Sequence, residues 1–299
     1  MNKDNNFIFE NLNSSKGSGT AFSFYMMAYV LISFVGQTLV GAIFGVENAN
    51  NTFIFATFPI ITFLLTILFF KSKTNQPLIK FVGVKKFKSI YLFLAIVISI
   101  SMMFGLGFMN DAFVKLLHKW GANISGVNIP LNNFTDFLFC VITFAVLPAI
   151  FEELFFRGLM LNLLKGVKPI YVILSIGLCF ALYHCSLAQF LYQFIYGVAL
   201  TCLAMACGSV IPCIIAHFIN NFAVIILQYY KVSLNLYNTL YIVSGMLSLT
   251  AIFLFMAFSI KKKKFEKTDN IGKFFAFASV GIFVCVLFAL NSLIEAMGG

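Results

Sequence analysis

The chain of 299 residues is 61% hydrophobic and 10% charged, with a formal net charge of +10. Because soluble domains are about 25% charged, this composition excludes an ordinary soluble protein and indicates an integral membrane protein. The positive charge does not indicate nucleic-acid binding, because it comes mainly from lysines in short loops between apolar runs, as in the cytoplasmic loops of membrane proteins.

The hydrophobic runs predict the fold class. Residues 1–20 are rich in Asn, Ser, Gly and Lys, so we expect a flexible N-terminal tail. The runs behind it are long enough to cross about 30 Å of hydrocarbon as helices. They predict an all-α, polytopic membrane protein with eight or nine transmembrane helices. The runs lie at about 21–46, 52–70, 89–109, 136–164, 169–187, 189–207, 210–230, 236–260 and 273–295.

The positions of the lysines orient these helices. Successive loops alternate sides of the membrane, and lysine-rich loops should share the cytoplasmic side. With the N-terminus in the cytoplasm, the lysine-rich loop 71–88, the pair Lys165 and Lys168, and the run 261–264 all fall on that side. The heavy use of Asn, Lys, Ile and Phe is typical of an AT-rich bacterial coding sequence. We therefore expect a bacterial plasma membrane protein with a cytoplasmic N-terminus.

The spans divide into three groups. N-terminal helices occupy 21–135, a core with polar residues occupies 136–230, and C-terminal helices occupy 231–299. Within the first group, apolar residues recur at helical spacing over 111–120. This pattern predicts a short helix in the membrane interface, with an ordinary loop as the alternative.

The core contains charged side chains inside apolar sequence. The stretch FEELFFRG at 151–158 holds the only arginine, Arg157, and the only acidic residues in the interior of a hydrophobic run, Glu152 and Glu153. An ionisable side chain in a bilayer costs about 2.5–3.5 kcal/mol on insertion scales, so such a cluster indicates function. Glu153 and Arg157 are four residues apart, in the favourable order for an ion pair on one helix. Glu152 lies on another face of that helix and is left as the free carboxylate, a candidate general base or acid.

Two further pairs of residues follow on later helices. FALYH contains Phe180 and His184, and HFINN contains His217 and Asn221; within each pair the residues are four apart and share a helical face. If helices four, five and seven are neighbours, Glu152 can meet His184, His217 and Asn221 in one polar cavity. Each histidine or asparagine alone is better explained by an interhelical hydrogen bond. Together with the acids they favour a reactive or transporting site.

The depths of these residues require a distortion of at least one helix. A regular rise of 1.5 Å per residue puts Glu152 and His184 about 20–24 Å from the cytoplasmic ends of their helices. The same rise puts His217 and Asn221 at only about 10–18 Å. We therefore expect a tilt or a kink, for which Pro148 is a candidate.

The three patterns together resemble the CPBP family of intramembrane endopeptidases, also called the CAAX protease and bacteriocin-processing, or Abi, family. The family motifs are EExxxR, FxxxH and HxxxN, and this chain contains them in that order. The resemblance implies hydrolysis of a peptide bond of a membrane-associated peptide or protein. Family members process prenylated CAAX peptides in eukaryotes, and in bacteria they are linked to peptide pheromone maturation and to bacteriocin immunity. The resemblance implies that Glu153 and Arg157 form an ion pair that supports the site.

The resemblance also implies roles for the other residues. Glu152 would take a proton from a water molecule held by His184, and His217 and Asn221 would donate hydrogen bonds to the oxyanion. This mechanism requires no cofactor. An alternative within the family makes Glu152, His184 and His217 the three ligands of a zinc ion, with water in the fourth position.

Two other classes of function are compatible with the same residues. A proton-coupled transporter could relay protons through buried acids and histidines, but such folds often show two inverted halves, and no repeat is visible here. A scaffold or immunity protein could bind its peptide without cleaving it. Its function would then survive the loss of both His184 and His217.

Overall fold

The computed structural model describes residues 14–45, 51–122, 131–232, 238–261 and 268–298. These residues form helices and include no strand. Among them, 8 helices are long and apolar enough to cross a membrane, and a further apolar helix, Pro169–Tyr183, has 15 residues. The prediction of an all-α polytopic membrane protein is confirmed. The helices are α1 Ser15–Phe44, α2 Thr52–Ser72, α3 Ile90–Lys119, α4 Phe134–Leu163, α5 Pro169–Tyr183, α6 Leu187–Cys207, α7 Ile211–Tyr229, α8 Thr239–Lys261 and α9 Ile271–Ala296, with a single additional turn at Leu78–Phe81.

The first helix begins earlier than its composition predicts. Instead of a flexible tail to residue 20, α1 starts at Ser15, and most of its first turns are buried. Small residues allow this, because Gly19 lies so close to α9 that an added Cβ would clash with the carbonyl oxygen of Phe274. The backbone N–H of Ser15 also donates to Asp269 Oδ2 at 2.6 Å, which attaches the start of α1 to the loop before α9. Residues 1–13 of the predicted tail lie outside the described residues.

The interfacial helix predicted at 111–120 is not a separate element. α3 continues without a break to Lys119, so those residues form its last turns. The 30 residues of α3 extend about 45 Å, which is longer than the hydrocarbon layer of about 30 Å. Its final turns therefore carry exposed charge, including the ion pair between Lys115 Nζ and Asp111 Oδ2 at 2.8 Å.

The loops that the lysine pattern assigns to one side do lie together. Val210 N donates to Gly83 O at 3.1 Å, which joins the α6–α7 loop to the α2–α3 loop. Thr268 N donates to Gly166 O at 3.1 Å, which joins the α8–α9 loop to the α4–α5 loop. Through Asp269, the start of α1 belongs to the same end of the bundle. We call this end, which carries the lysines of residues 71–88, Lys165, Lys168 and Lys261, the lysine-rich face; Lys262 to Lys264 lie outside the described residues.

α4 lies at the centre of the bundle. It contacts α1, α2, α5, α6 and α7, and its Phe155 and Phe156 are fully buried. α5 and α6 form a tightly packed pair, because a Cβ on Gly197 would lie only 3.0 Å from Gly177 Cα. α6 also contacts α7. This packing brings the polar residues of α4, α5 and α7 toward one another.

Candidate active site

The site is built on a part of α4 that departs from a regular α-helix. Val141–Val146 and Leu154–Met160 are π-helical, and the α-helical segment Leu147–Glu153 lies between them. A π turn closes hydrogen bonds from residue i to i+5, so the helix advances less per residue, and such turns are frequent at functional sites. The depth predicted for Glu152 from a regular rise is therefore too large. The shorter rise of this segment reduces the difference in depth that was predicted between Glu152 and His217.

Pro148 determines where Asn221 binds. Proline has no N–H, so Pro148 cannot donate to the carbonyl oxygen four residues before it, which belongs to Phe144. Asn221 Nδ2 on α7 donates to this oxygen instead, at 3.0 Å. Asn220 Nδ2 donates to Asn221 Oδ1 at 3.4 Å, and Tyr192 on α6 donates to Asn220 Oδ1 at 2.7 Å. Asn221 thus connects α7 to α4, and one N–H of its amide is left for another partner.

Glu153 accepts hydrogen bonds from two side chains. Arg157 Nη1 donates to Glu153 Oε1 at 2.8 Å, as the spacing of four residues predicts. His217 Nδ1 lies 2.9 Å from the same oxygen. Because a carboxylate paired with arginine only accepts, His217 Nδ1 is the donor in this bond, and in the neutral tautomer with this proton Nε2 has a lone pair. The bond between Glu153 and His217 was not predicted from the sequence, since nothing in it indicates which residues on different helices meet.

Arg157 also holds α5 and α6. Its Nη2 donates to Gly197 O on α6 at 3.0 Å. Its guanidinium lies 4.4 Å from the centre of the Phe180 ring on α5, a cation–π contact. The same ring meets His184 and His217 edge to face, with centroid distances of 4.9 and 5.9 Å. The phenylalanine of the second motif is therefore a packing centre of the site.

Glu152 is the carboxylate that keeps an acceptor oxygen available. It is only 5% exposed. Tyr183 donates its hydroxyl proton to Glu152 Oε1 at 3.3 Å. Glu152 Oε2 lies 3.9 Å from His217 Nε2 and has no hydrogen-bond partner among the described residues. This is the arrangement expected of the free carboxylate.

His184 is placed differently from the prediction. It is the C-cap residue, directly after the last residue of α5, and its Nδ1 donates to Phe180 O at 2.7 Å. Within the described part of the chain, the histidine paired with Glu152 is His217, and His184 forms neither a hydrogen bond nor an ion pair with that carboxylate. The structure therefore brings Glu152, Glu153, Arg157 and His217 into direct contact and leaves His184 at the edge of the cluster.

His184 lines a cavity of about 500 Å³. The cavity lies between α1, α2, α9 and the turn from α5 to α6, and its walls include Tyr183, Phe55 and Phe288. The 15 residues of α5 rise only about 22 Å from the lysine-rich face, so the turn at its end, with Cys185 at a φ of 49°, lies within the depth of the hydrocarbon. Non-helical backbone at that depth is tolerated where it is buried in protein or lines a cavity.

The zinc alternative requires three converging ligands. Both imidazoles have Nδ1 held by an oxygen and Nε2 available, as zinc-binding histidines do. However, in the described ranges no three His, Cys, Asp or Glu side chains form a group that could hold a metal ion.

Comparison with known proteins identifies the same segment. Residues 134–223 match the family model described as Type II CAAX prenyl endopeptidase Rce1-like. The match begins at the first residue of α4 and ends within α7, so it includes every residue of the three motifs. It covers under a third of the 299 residues. Neither the curated proteins nor the solved structures yielded a match.

Proposed function

We propose that this chain belongs, over residues 134–223, with the CPBP family of CAAX-type intramembrane endopeptidases, and that it hydrolyses a peptide bond of a membrane-associated peptide or protein, with Glu152 as the general base. The observation that carries the proposal is the buried Glu152 Oε2, which lies near His217 Nε2 without a hydrogen-bond partner among the described residues. Processing of CAAX peptides, peptide pheromone maturation and bacteriocin maturation or immunity are the candidate pathways.

A water molecule between Glu152 and His217 would be the nucleophile. The 3.9 Å between Glu152 Oε2 and His217 Nε2 exceeds a direct hydrogen bond, and a water can lie within hydrogen-bond distance of both. Both atoms accept, so the water donates its two protons to them and turns its lone pairs toward the substrate. We therefore assign the holding of the water to His217, and not to His184 as the family pattern alone suggests.

The reaction then proceeds through a tetrahedral intermediate. Glu152 takes a proton from the water as the water oxygen bonds to the scissile carbonyl carbon, whose oxygen becomes the oxyanion. The remaining N–H of Asn221 is a candidate donor to this oxyanion. Protonated Glu152 returns its proton to the amide nitrogen as the C–N bond breaks. His184, in the cavity wall, contacts the bound peptide.

Glu153 and Arg157 act as positioning residues in this mechanism. The bond from His217 Nδ1 to Glu153 fixes the tautomer in which Nε2 accepts. The ion pair with Arg157 holds the Glu153 side chain in place. No step of the reaction passes through either residue.

The test is hydrolysis by the purified protein reconstituted in liposomes. The substrates are a pool of synthetic membrane peptides, each in a farnesylated and an unmodified form, with products identified by mass spectrometry. We expect at least one peptide to be cleaved at a single bond, and Glu152→Gln serves as the inactive reference. If the wild-type protein cleaves no peptide faster than this variant, yet carries protons into liposomes loaded with a pH dye, the protein is a transporter.

We expect chelators to leave this activity unchanged, because among the described residues no three His, Cys, Asp or Glu side chains form a group that could hold a metal ion. The measurement is elemental analysis of protein purified without a histidine tag, together with an assay in the presence of a chelator. One zinc ion per chain, with activity lost on chelation and restored by zinc, would instead make Glu152, His184 and His217 the metal ligands.

We expect Tyr183→Phe to lower kcat by no more than about tenfold, because it removes one hydrogen bond, of about 1 kcal/mol, to Glu152 Oε1. The matched control is Tyr171→Phe, at an exposed position on the same helix, which should leave kcat unchanged. A loss of more than a hundredfold would place Tyr183 among the reacting groups. An unchanged rate would contradict its role in orienting Glu152.

A further inference from the structure

A second cavity, of about 300 Å³, lies at the lysine-rich face, away from the cavity beside His184. Lys85 and Lys165 line it, together with the polar side chains of Asn162 and Ser209. Arg157 forms part of its wall, and Arg157 Nε is buried without a hydrogen-bond partner among the described residues. The proposed reaction assigns no role to this cavity.

The charge around this cavity is positive. Within the described ranges, Lys80, Lys85 and Lys165 form no ion pair with a carboxylate. The surrounding protein and the neighbouring Lys85 and Lys80 lower the pKa of Lys165, which means that these like charges are close enough to repel. A bound anion would relieve this repulsion.

Two helices direct their positive ends toward the same place. α5 starts at Pro169 and α7 starts just after Val210, and both residues line the cavity. The dipole at a helix N-terminus favours an anion, and phosphate groups are commonly bound there. The N-termini of the two helices and the lysines thus both favour a negatively charged ligand.

An apolar groove continues from this cavity toward the lipid. The groove has a volume of about 1000 Å³, lies between α5, α6 and α8, and shares Pro169 and Ile260 with the cavity. Its walls are mainly aliphatic and aromatic, while Lys168 and Lys261 lie at its lysine-rich end. A ligand that is complementary to both the cavity and the groove must have an anionic head group and an apolar chain.

We propose that the cavity and the groove bind one anionic phospholipid. Its phosphate lies between Lys85 and Lys165, and an acyl chain lies in the groove along α8. This site shares only the Arg157 side chain with the proposed peptidase centre, and because lipid binding is measured without a peptide substrate, its test is independent of peptide hydrolysis.

The test measures lipid binding to the purified full-length protein by native mass spectrometry. The probes are phosphatidylglycerol, zwitterionic phosphatidylcholine with the same acyl chains, and inorganic phosphate. Each lysine near a membrane surface contributes about fivefold to the binding of an anionic lipid. We therefore expect the double variant Lys85→Gln and Lys165→Gln to bind phosphatidylglycerol at least about tenfold more weakly, with phosphatidylcholine binding unchanged.

Two control proteins separate the possible results. Lys119→Gln with Lys231→Gln removes the same charge at the opposite end of the bundle and should retain the preference for phosphatidylglycerol. Ala257→Phe fills the groove without changing the charge. It should weaken the binding of phosphatidylglycerol but not the binding of inorganic phosphate. The proposal is overturned if the double variant at Lys85 and Lys165 keeps the wild-type preference. It is also overturned if inorganic phosphate competes fully while Ala257→Phe has no effect, because the ligand would then be a free anion.

Discussion

Arg157→Met is expected to destabilise the folded protein by about 3–5 kcal/mol, the usual cost of removing one partner of a buried ion pair. The side chains of Glu153 and Arg157 are both fully buried in their pair. Without Arg157, the Glu153 carboxylate keeps only the bond from His217 Nδ1. The variant also loses the hydrogen bond to Gly197 O, which holds α6. Methionine is unbranched and of comparable length, so most of the loss reflects the unpaired charge.

The measurement is the free energy of unfolding in mixed micelles titrated with a denaturing detergent. The double variant Glu153→Gln with Arg157→Met should recover most of the loss, since it removes both charges. The control is Lys115→Met, which breaks an ion pair of equal spacing whose side chains are 61% and 37% exposed and should cost less than about 1 kcal/mol. If Arg157→Met costs no more than this control, the buried pair does not hold the helices together.

The membrane-spanning helices could be predicted from the sequence because the thickness of the hydrocarbon layer sets the length of the apolar run that each helix needs. The apolar runs and the lysine positions are both direct consequences of the bilayer, so helix number and the grouping of loops at the lysine-rich face follow from them. The ends of helices were less predictable. α1 starts at Ser15, where Gly19 allows close packing against α9. The polar residues before position 20 do not predict that contact.

The site was predictable in part, for a similar reason. A buried charge must be paired, so four-residue spacing sufficed to predict the pair of Glu153 and Arg157. The partner of Glu152 was not predictable, because α4 contains π turns that alter both depth and rotation along the helix. With a regular helix His184 matches Glu152 in depth, whereas the π turns bring His217 beside it. The missing N–H of Pro148 was a usable signal, since it predicts that the oxygen of Phe144 needs a donor from another helix.

Glu152→Gln is expected to lower kcat for peptide hydrolysis by about 10²–10⁴-fold, the usual contribution of a positioned general base. Glutamine has the same shape as glutamate, and its oxygen still accepts from Tyr183. It cannot take a proton from water, so the step that forms the nucleophile is lost while the surrounding packing is kept. The free energy of unfolding should therefore change little, in contrast to Arg157→Met.

Glu295→Gln is the control for this variant, because Glu295 is exposed near the end of α9 and, among the described residues, its side chain accepts a hydrogen bond only from Asn291. Its rate should equal that of the wild type. The decisive comparison is of kcat with the binding of an uncleaved peptide: loss of a base lowers kcat and leaves the peptide bound, whereas a distorted site weakens both. If Glu152→Gln retains more than half of the wild-type kcat, a different group activates the water. His184, whose Nε2 is available at the cavity wall, would then be the next candidate.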